Sequence, residues 1–570
     1  MAVDGGGTGR IGRDRGGVAG PMHLLRIPLA SLVLIVLFAA AAIPAPEPSA
    51  AIPGAGVALG AERPDFVQTS AAGDRLRPMP PVHLVRGTAP RGVIVRVDPA
   101  AMRQTIEGIG GSLTEASAAV LAQLPRATRD SVLDRFFGPG GADFTMTRVP
   151  IGACDFSVTG NYSYDDTPGD TALAQFSIAH DRAGFAGARD PGYALLPLIH
   201  DALARQPALK IVASPWTAPA WMKTSGVFYK PGTGGGSLLP AHFPTFARYI
   251  RRYVDAYAAE GVHVWAVTPV NEPLGVGGQW ESMEMSPEAL RDYIGRDLGP
   301  ALAGTGVRIL QYDQNPGADA LRYSRAVFKD PLAARYVWGT ALHWYGTTNS
   351  ARGDVLDAIR GLARDKAIVH TEGCVDALGA KTNSPEGRFL GWKNDAWWWR
   401  EEATDWGWDW APAADKPQHP RYAPVHRYAR HLIDGLDHGL SGWIDWNIVL
   451  DAQGGPNHVN NRCAAPVMVD PVAGDVYATP VYFTIAHFSR YIRPGDRVVR
   501  TRVSAPGLGA DDFHAAAIMS GDRSHLVVFA FNKSAAPVTY AIQVAGRHAM
   551  VTIPANALQT LRFDMREAER

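Results

Sequence analysis

Two glutamates stand where apolar runs give way to polar residues. Glu272 lies in Asn271-Glu272-Pro273, after HVWAVTPV, and Glu372 lies in Thr371-Glu372-Gly373-Cys374, after AIVH. Two carboxyl groups from separate chain segments suit work at a glycosidic bond. One protonates the departing oxygen while the other, ionised, faces it across the sugar. A lone Glu in such a place is most often a solvated loop residue. Two on different runs, one inside Asn-Glu-Pro, point to the paired chemistry. Asn271 can hydrogen-bond a sugar 2-hydroxyl, a contact that strengthens as an oxocarbenium-like transition state forms. Pro273 fixes the backbone just after the acid.

Other apolar runs end in matching groups. Arg148 ends FTMTR and can hold a carboxylate in its ionised form. Asp155 lies just beyond it, and Trp216 follows ASP. His343, Trp344 and Tyr345 end one run, and Asp445, Trp446 and Asn447 another. Singly, each is more often structural than functional, and Trp344 and Trp443 read as core. Together they make a polar and aromatic ring of the kind that lines a sugar pocket.

Something must bring these ends to one mouth. The runs at 144–152, 209–215, 263–271, 307–313, 336–345, 366–372 and 441–447 read as strands. Stretches of helical period at 114–124, 192–206, 242–259 and 286–302 lie among them. Such alternation over nearly 400 residues implies a parallel sheet with helices outside it. The expected fold is α/β, a (β/α)8 TIM barrel over 103–485, with chemistry at the C-terminal ends of the strands. A doubly wound open sheet is the runner-up. IEGIGGS (106–112) has neither the spacing nor the lysine of a phosphate-binding loop. Alternating runs within 486–566 predict a small β-sandwich, joined by N-terminal strands in 81–102. Residues 51–80 read as a linker.

Composition narrows the partners. Lys+Arg and Asp+Glu are both 55 in 570 residues, a formal net charge of zero. No field on that scale draws the chain to nucleic acid. Cys154, Cys374 and Cys463 are odd in number and form no CxxC, against a disulfide framework or a cysteine metal site. Residues 27–43 (IPLASLVLIVLFAAAAI) follow Arg26 and precede small residues, as in a secretory signal within 1–50. Met22 is a second candidate start. Export is expected, secreted or periplasmic; the alternative is a membrane anchor formed by 27–43.

Longer blocks resemble glycoside hydrolase family 30. They include GIGGSLTEASAAVL (108–121), RVPIGACDFSVTGNYSYDDTP (148–168), ASPWTAPAWMKTSG (213–226), WAVTPVNEP (265–273), GWIDWN (442–447) and GGPNHVNN (454–461), in family order. The resemblance spans roughly 103–566. It implies a barrel packed on a β-sandwich, no metal or organic cofactor, and net retention by double displacement. By motif match, Glu272 is the acid/base and Glu372 the nucleophile. Asp155, Trp216, Asn271, Trp446 and Asn461 match glucose-binding positions. Arg148, His343 and Tyr345 match residues around the nucleophile. The implied substrate is a β-glucoside or glycolipid of the glucosylceramide type, reached in some cases at a membrane surface. Alternatives are a β-1,6-glucanase or β-xylosidase of the same family and, more distantly, a non-catalytic sugar-binding protein. For the chemistry, Glu272 should carry the raised pKa and Glu372 the lower one. Two regions depart from the family pattern: the loop 274–284, with Trp280, and the stretch 376–430, which carries WWWREEATDWGWDW (397–410). Both should border the leaving-group side. The oligomeric state is not legible in the sequence.

Overall fold

Eight parallel strands close into a barrel in strict chain order: β1 (Gly108–Gly111), β2 (Met146–Pro150), β3 (Lys210–Ser214), β4 (Val264–Val267), β5 (Arg308–Gln314), β6 (Val337–Leu342), β7 (Ala367–His370) and β8 (Leu440–Asp445), with β8 pairing back to β1. The computed structural model describes residues 63–376, 392–403, 414 and 416–565. Helical segments fall between successive strands, as in Leu195–Arg205 after β2 and Phe243–Ala259 after β3. The second of these buries Phe246, Tyr249, Ile250, Tyr253 and Tyr257. That 3.6-residue stripe is what turns one helix face to a barrel. Closure in sequence order bears out the barrel expectation and excludes the open sheet.

The barrel interior is a thin apolar layer. Met146, Val212, Ala266, Leu310, Ala341, Val369 and Ile444 give one side chain per strand from β2 to β8 and form a separate buried cluster. At β1 the corresponding residue is Gly110, opposite Met146. A Cβ at Gly110 would lie 1.6 Å from the Met146 carbonyl oxygen. Only glycine admits so close an approach of two backbones. This also explains why β1 is not legible as a strand: Gly-Ile-Gly-Gly has poor strand propensity and is chosen for clearance.

A ten-stranded sheet packs beside the barrel. Its order is Arg77–Pro78, Phe66–Ser70, Ala557–Asp564, His525–Asn532, Phe513–Met519, Arg497–Ser504, Val93–Thr105, Val538–Val544, Arg547–Ile553, Val85–Arg86. It doubles over one core, since Tyr540 packs on Phe513 (ring centroids 5.2 Å) and donates to Gln559 at 3.1 Å. The linker reading of 51–80 is corrected here. Phe66–Ser70 is a buried strand paired antiparallel along its whole length with Ala557–Asp564. Helix Pro480–Ser489 joins sheet to barrel through His487, which lies 2.8 Å from Thr69 and 2.7 Å from Thr560. Burial pushes His487 down to about 3, so its ring stays neutral.

Within the tryptophan-rich stretch, Trp397, Trp398 and Trp399 are buried and pack as core. Trp406, Trp408 and Trp410, like residues 27–43, lie outside the described residues. Among the described residues no helix is long and apolar enough to cross a membrane.

Gly110→Ala should remove at least ~3 kcal/mol of stability, because the overlap is with backbone and no rotamer relieves it. Gly361, in helix Gly353–Leu362, has nothing within 4 Å of an added Cβ. Gly361→Ala should stabilise by about 0.5 kcal/mol. Denaturant unfolding of both variants measures the contrast.

Candidate active site

A polar layer lies directly on the apolar one. Two residues on from each floor residue, the chain turns its next inward side chain toward the strand C-termini. Met146 leads to Arg148, Val212 to Ser214, Ala266 to Thr268, Ala341 to His343, Val369 to Thr371 and Ile444 to Trp446, all buried. By the same step Leu310 should lead to Tyr312. It leads instead to Asp313, because the register of β5 on β6 slips between Tyr312 and Gln314. Asp313 is the extra residue of a β-bulge, which re-aims a side chain at a barrel rim. Tyr312 and Asp313 both hold positive φ, 79° and 60°.

Arg148 is the centre of this layer. It is fully buried, and its Nη1 donates to Glu372 Oε2 at 2.5 Å. Its Nη2 donates to Asn271 Oδ1 at 2.7 Å and to Asp313 Oδ2 at 2.8 Å, and its Nε to Ser214 Oγ at 3.1 Å. The guanidinium also lies over Trp216 (4.7 Å) and Trp446 (5.5 Å), whose rings stack at 5.1 Å. Burial works against its charge, but Asp313 and Glu372 outweigh it and hold Arg148 above its usual range. Asn271 accepts from Arg148 through Oδ1, so its amide nitrogen is left to donate.

Glu272 follows β4, with φ 50° and its backbone N–H on the Asp313 carbonyl at 2.9 Å. His343 faces Glu272 Oε1 through Nδ1 and Asp313 Oδ1 through Nε2, both at 3.1 Å. Burial would lower the imidazole, but Glu372, Asp313 and Glu272 hold it up at about 10. It is therefore an imidazolium near neutral pH, donating from both nitrogens. Carboxylate oxygens of Glu272 and Glu372 come within 4.8 Å of each other. That is the short spacing at which a carboxylate reaches the sugar carbon without an intervening water. Burial raises the Glu372 carboxyl; His343 and Arg148 oppose it, Glu272 and Asp313 raise it again, and the result lies above the ordinary value. Burial is the largest cause, and the repulsion between buried carboxyls so close adds to it.

One pocket gathers eight of the candidate site residues, Asp155, Trp216, Asn271, Glu272, Tyr345, Glu372, Trp446 and Asn461, joined by Trp280 of the loop 274–284 and by Cys463. Arg148 and His343 hold the two glutamates from the polar layer. Asn461 donates to Asp155 at 2.8 Å. Burial and the Glu372 charge push the Asp155 carboxyl well up, against that bond. The Tyr345 hydroxyl lies 3.6 Å from Cys374 Sγ. Asp313, Ser214 and Thr268 were missed. Asp313 carried the signal used for the others, since it ends the strand VRILQYD. A second cavity, of about 470 Å³, opens on the other side of Glu272. Leu274, Val276, Gln279, Tyr312, Gln314, Asn315, Pro316, Ala318 and Asp319 help to line it.

Paired buried carboxyls over a tryptophan-walled pocket, at the C-terminal mouth of a closed parallel barrel, define a glycoside hydrolase. A sequence model of the glycosyl hydrolase family 30 TIM-barrel domain matches residues 106–394 and 414–492, and the chain belongs to that family. It is 31% identical over 457 residues to the lysosomal acid glucosylceramidase of Mus musculus, covering 79% of each chain. It is 28% identical over 462 residues to an endo-1,6-beta-D-glucanase of Neurospora crassa, covering 78% of this chain and 83% of that one. Its fold matches the crystal structure of SrfJ from Salmonella typhimurium with a TM-score of 0.72 and 26% identity, over 88% of this chain and 99% of that one.

Replacing Arg148 by Met leaves Asp313 and Glu372 as buried charges without their partner. Arg148→Met should cost about 3–5 kcal/mol in denaturant unfolding. Arg148→Lys, which keeps the charge but not the fork, should cost less.

Proposed function

We propose that the chain is a retaining β-glucosidase, with Glu372 as nucleophile and Glu272 as acid/base. The observation that carries this reading is the approach of the two carboxyls to within 4.8 Å, with a permanent cation fixed on only one of them. Arg148 at 2.5 Å favours the charged, attacking form of Glu372, which leaves donation of the proton to Glu272. His343 occupies Glu272 Oε1, which leaves the other oxygen to present that proton.

The steps follow. Glu372 attacks the anomeric carbon while the bond to the leaving oxygen breaks and Glu272 gives that oxygen its proton. Glu272, now ionised, takes a proton from water. The water attacks the same carbon from the leaving-group face and frees Glu372. Asn271, its amide nitrogen turned from Arg148, is placed to donate to the 2-hydroxyl. Asp155 and Asn461 form the polar end of the sugar pocket, and Trp216 and Trp446 its apolar wall.

The leaving group belongs in the 470 Å³ cavity beside Glu272. Leu274, Val276, Pro316 and Ala318 suit an apolar aglycone, in keeping with the glucosylceramidase relatives. A second reading, cleavage of β-1,6-linked glucan, is favoured by Gln279, Gln314 and Asn315 in the same cavity, which can hydrogen-bond a further sugar. Export through the N-terminal segment belongs to this proposal.

A 2-deoxy-2-fluoro-β-glucoside should label the protein covalently, and the labelled peptide should contain Glu372. Glu372→Gln should have no measurable turnover. Glu272→Gln should lose about 10²–10⁴-fold on alkyl glucosides and far less on dinitrophenyl glucoside. Activity equal to wild type in Glu372→Gln defeats the nucleophile assignment. In a panel of alkyl glucosides, glucosylceramide, β-xyloside and β-1,6-glucan, failure on every β-glucoside defeats the substrate assignment, and turnover of β-1,6-glucan alone selects the second reading.

A further inference from the structure

Asp313 contributes no atom to the pocket lining, yet several supports of the two glutamates end on it. Its carboxylate is fully buried. Oδ2 accepts from Arg148 (2.8 Å), Ser214 (3.0 Å) and Thr268 (2.8 Å). Oδ1 accepts from Thr371 (2.6 Å) and faces His343 Nε2 (3.1 Å). Five donors are more than one aspartate needs for solubility in a protein interior. A carboxylate with this many partners is normally part of a preorganised site.

The partners fall into two sets. Arg148 and Thr371 belong to the nucleophile: the first contacts Glu372 and the second precedes it in the chain. His343 belongs to the acid/base, through Glu272 Oε1. The backbone adds a third link, because the Asp313 carbonyl accepts the Glu272 N–H at 2.9 Å. The bulge and the positive φ at Tyr312 and Asp313 are the local strain that turns this side chain inward.

We propose that Asp313 is a positioning residue for the reaction: one buried carboxylate that seats Arg148 and Thr371 against the nucleophile and His343 against the acid/base, and so fixes the two glutamates relative to each other. This rests on the reading of Glu272 and Glu372 given above. As an acceptor-only group, the carboxylate also dictates that His343 Nε2 carries a proton. The groups facing His343 are Glu272 from β4, Asp313 from β5, Glu372 and His370 from β7 and Tyr345 from its own segment, with Arg148 beyond Asp313. Three of these are carboxyls. Losing the Asp313 charge therefore lowers the pH at which the ring gives up its proton.

The test is Asp313→Asn, near-identical in shape and neutral. Its kcat should fall about 10²-fold on both alkyl and dinitrophenyl glucosides, since both steps lose their geometry. KM should change little, because Asp313 does not contact sugar. The alkaline limb of the pH–rate profile should move to lower pH. Asp313→Glu restores the charge one methylene out of place, and should return that limb toward wild type while kcat stays low. A merely structural role lowers the melting temperature but leaves kcat per folded molecule and the pH profile unchanged, and that result overturns the proposal. Should Asp313→Asn not fold, Thr268→Val removes one hydroxyl from Oδ2 and keeps the charge. It should lower kcat several-fold at unchanged KM, and a wild-type kcat there overturns the proposal. Inactive Glu372→Gln beside a fully active Asp313→Asn defeats this inference alone; active Glu372→Gln defeats the reading beneath it.

Discussion

The arrangement of the site depends on one ion that cannot leave. Arg148 sits at the top of the barrel floor with no exposed surface. Burying a guanidinium is expensive unless carboxylates and further acceptors surround it. Asp313 and Glu372 supply the countercharge, Asn271 and Ser214 accept two more of its hydrogens, and Trp216 and Trp446 offer ring faces. Each partner is oriented as a result. Glu372 turns one oxygen down onto the guanidinium, Asn271 turns its carbonyl inward, and the two tryptophans stack where a sugar wall is wanted. The pocket is thus the upper surface of a charge cluster whose lower half is closed to water.

The barrel makes that cluster possible by alternation. One inward layer is apolar from Met146 to Ile444, and the next is polar from Arg148 to Trp446. Strands of four to seven residues have room for little more. The exception at β5 is informative. Strict alternation would aim Tyr312 inward and leave Arg148 with one carboxylate fewer. The bulge exchanges the two residues, at the cost of left-handed backbone at both. Glu272 shares that conformation and is tied to the same point of the chain through its amide. Strain at three residues is tolerable because the closed barrel around them cannot relax it.

This division explains what was legible in the sequence. Seven barrel strands and their functional ends showed as apolar runs meeting polar residues, and Glu272, Glu372, Arg148 and His343 stood out by that contrast. The eighth did not, since Gly108–Gly111 is selected for backbone clearance. Asp313 ended its run as the others did, but strict alternation from Leu310 aims Tyr312 inward, and the bulge that exchanges the two is a change of phase that one strand's pattern does not display. Phe66–Ser70 escaped for a different reason: its partner, Ala557–Asp564, lies almost 500 residues away in the chain, and a five-residue run after a Pro- and Gly-rich stretch gives no hint of such a pairing. The upward shift at Glu372 needed coordinates, because it comes first from burial and then from the charges of Glu272 and Asp313 brought close by folding.

The two sides of Glu272 are built differently, and this bears on how such an enzyme can change substrate. On the proposed reading the sugar side combines residues at or just past strand ends with Asp155, Trp280 and Asn461 from loops, and a substitution at Trp216, Asn271, Glu372 or Trp446 disturbs Arg148. On the same reading the leaving-group side is mostly loop, with Tyr312 and Gln314 from β5 and Ala318 and Asp319 from the start of the helix that follows. Leu274, Val276, Pro316 and Ala318 face the cavity with side chains that carry no hydrogen-bonding atom, so none of them takes part in the network that holds the acids. Exchanging them alters the shape and polarity met by the aglycone while the proton inventory of the site stays as it was. Asn315 is the exception on that side, since its side chain accepts the Tyr345 N–H at 2.8 Å. It couples the cavity to the pocket wall, and variation there should reach the sugar as well as the aglycone. Divergence in aglycone at constant chemistry is therefore the change this architecture permits most easily, with Asn315 marking where that freedom stops.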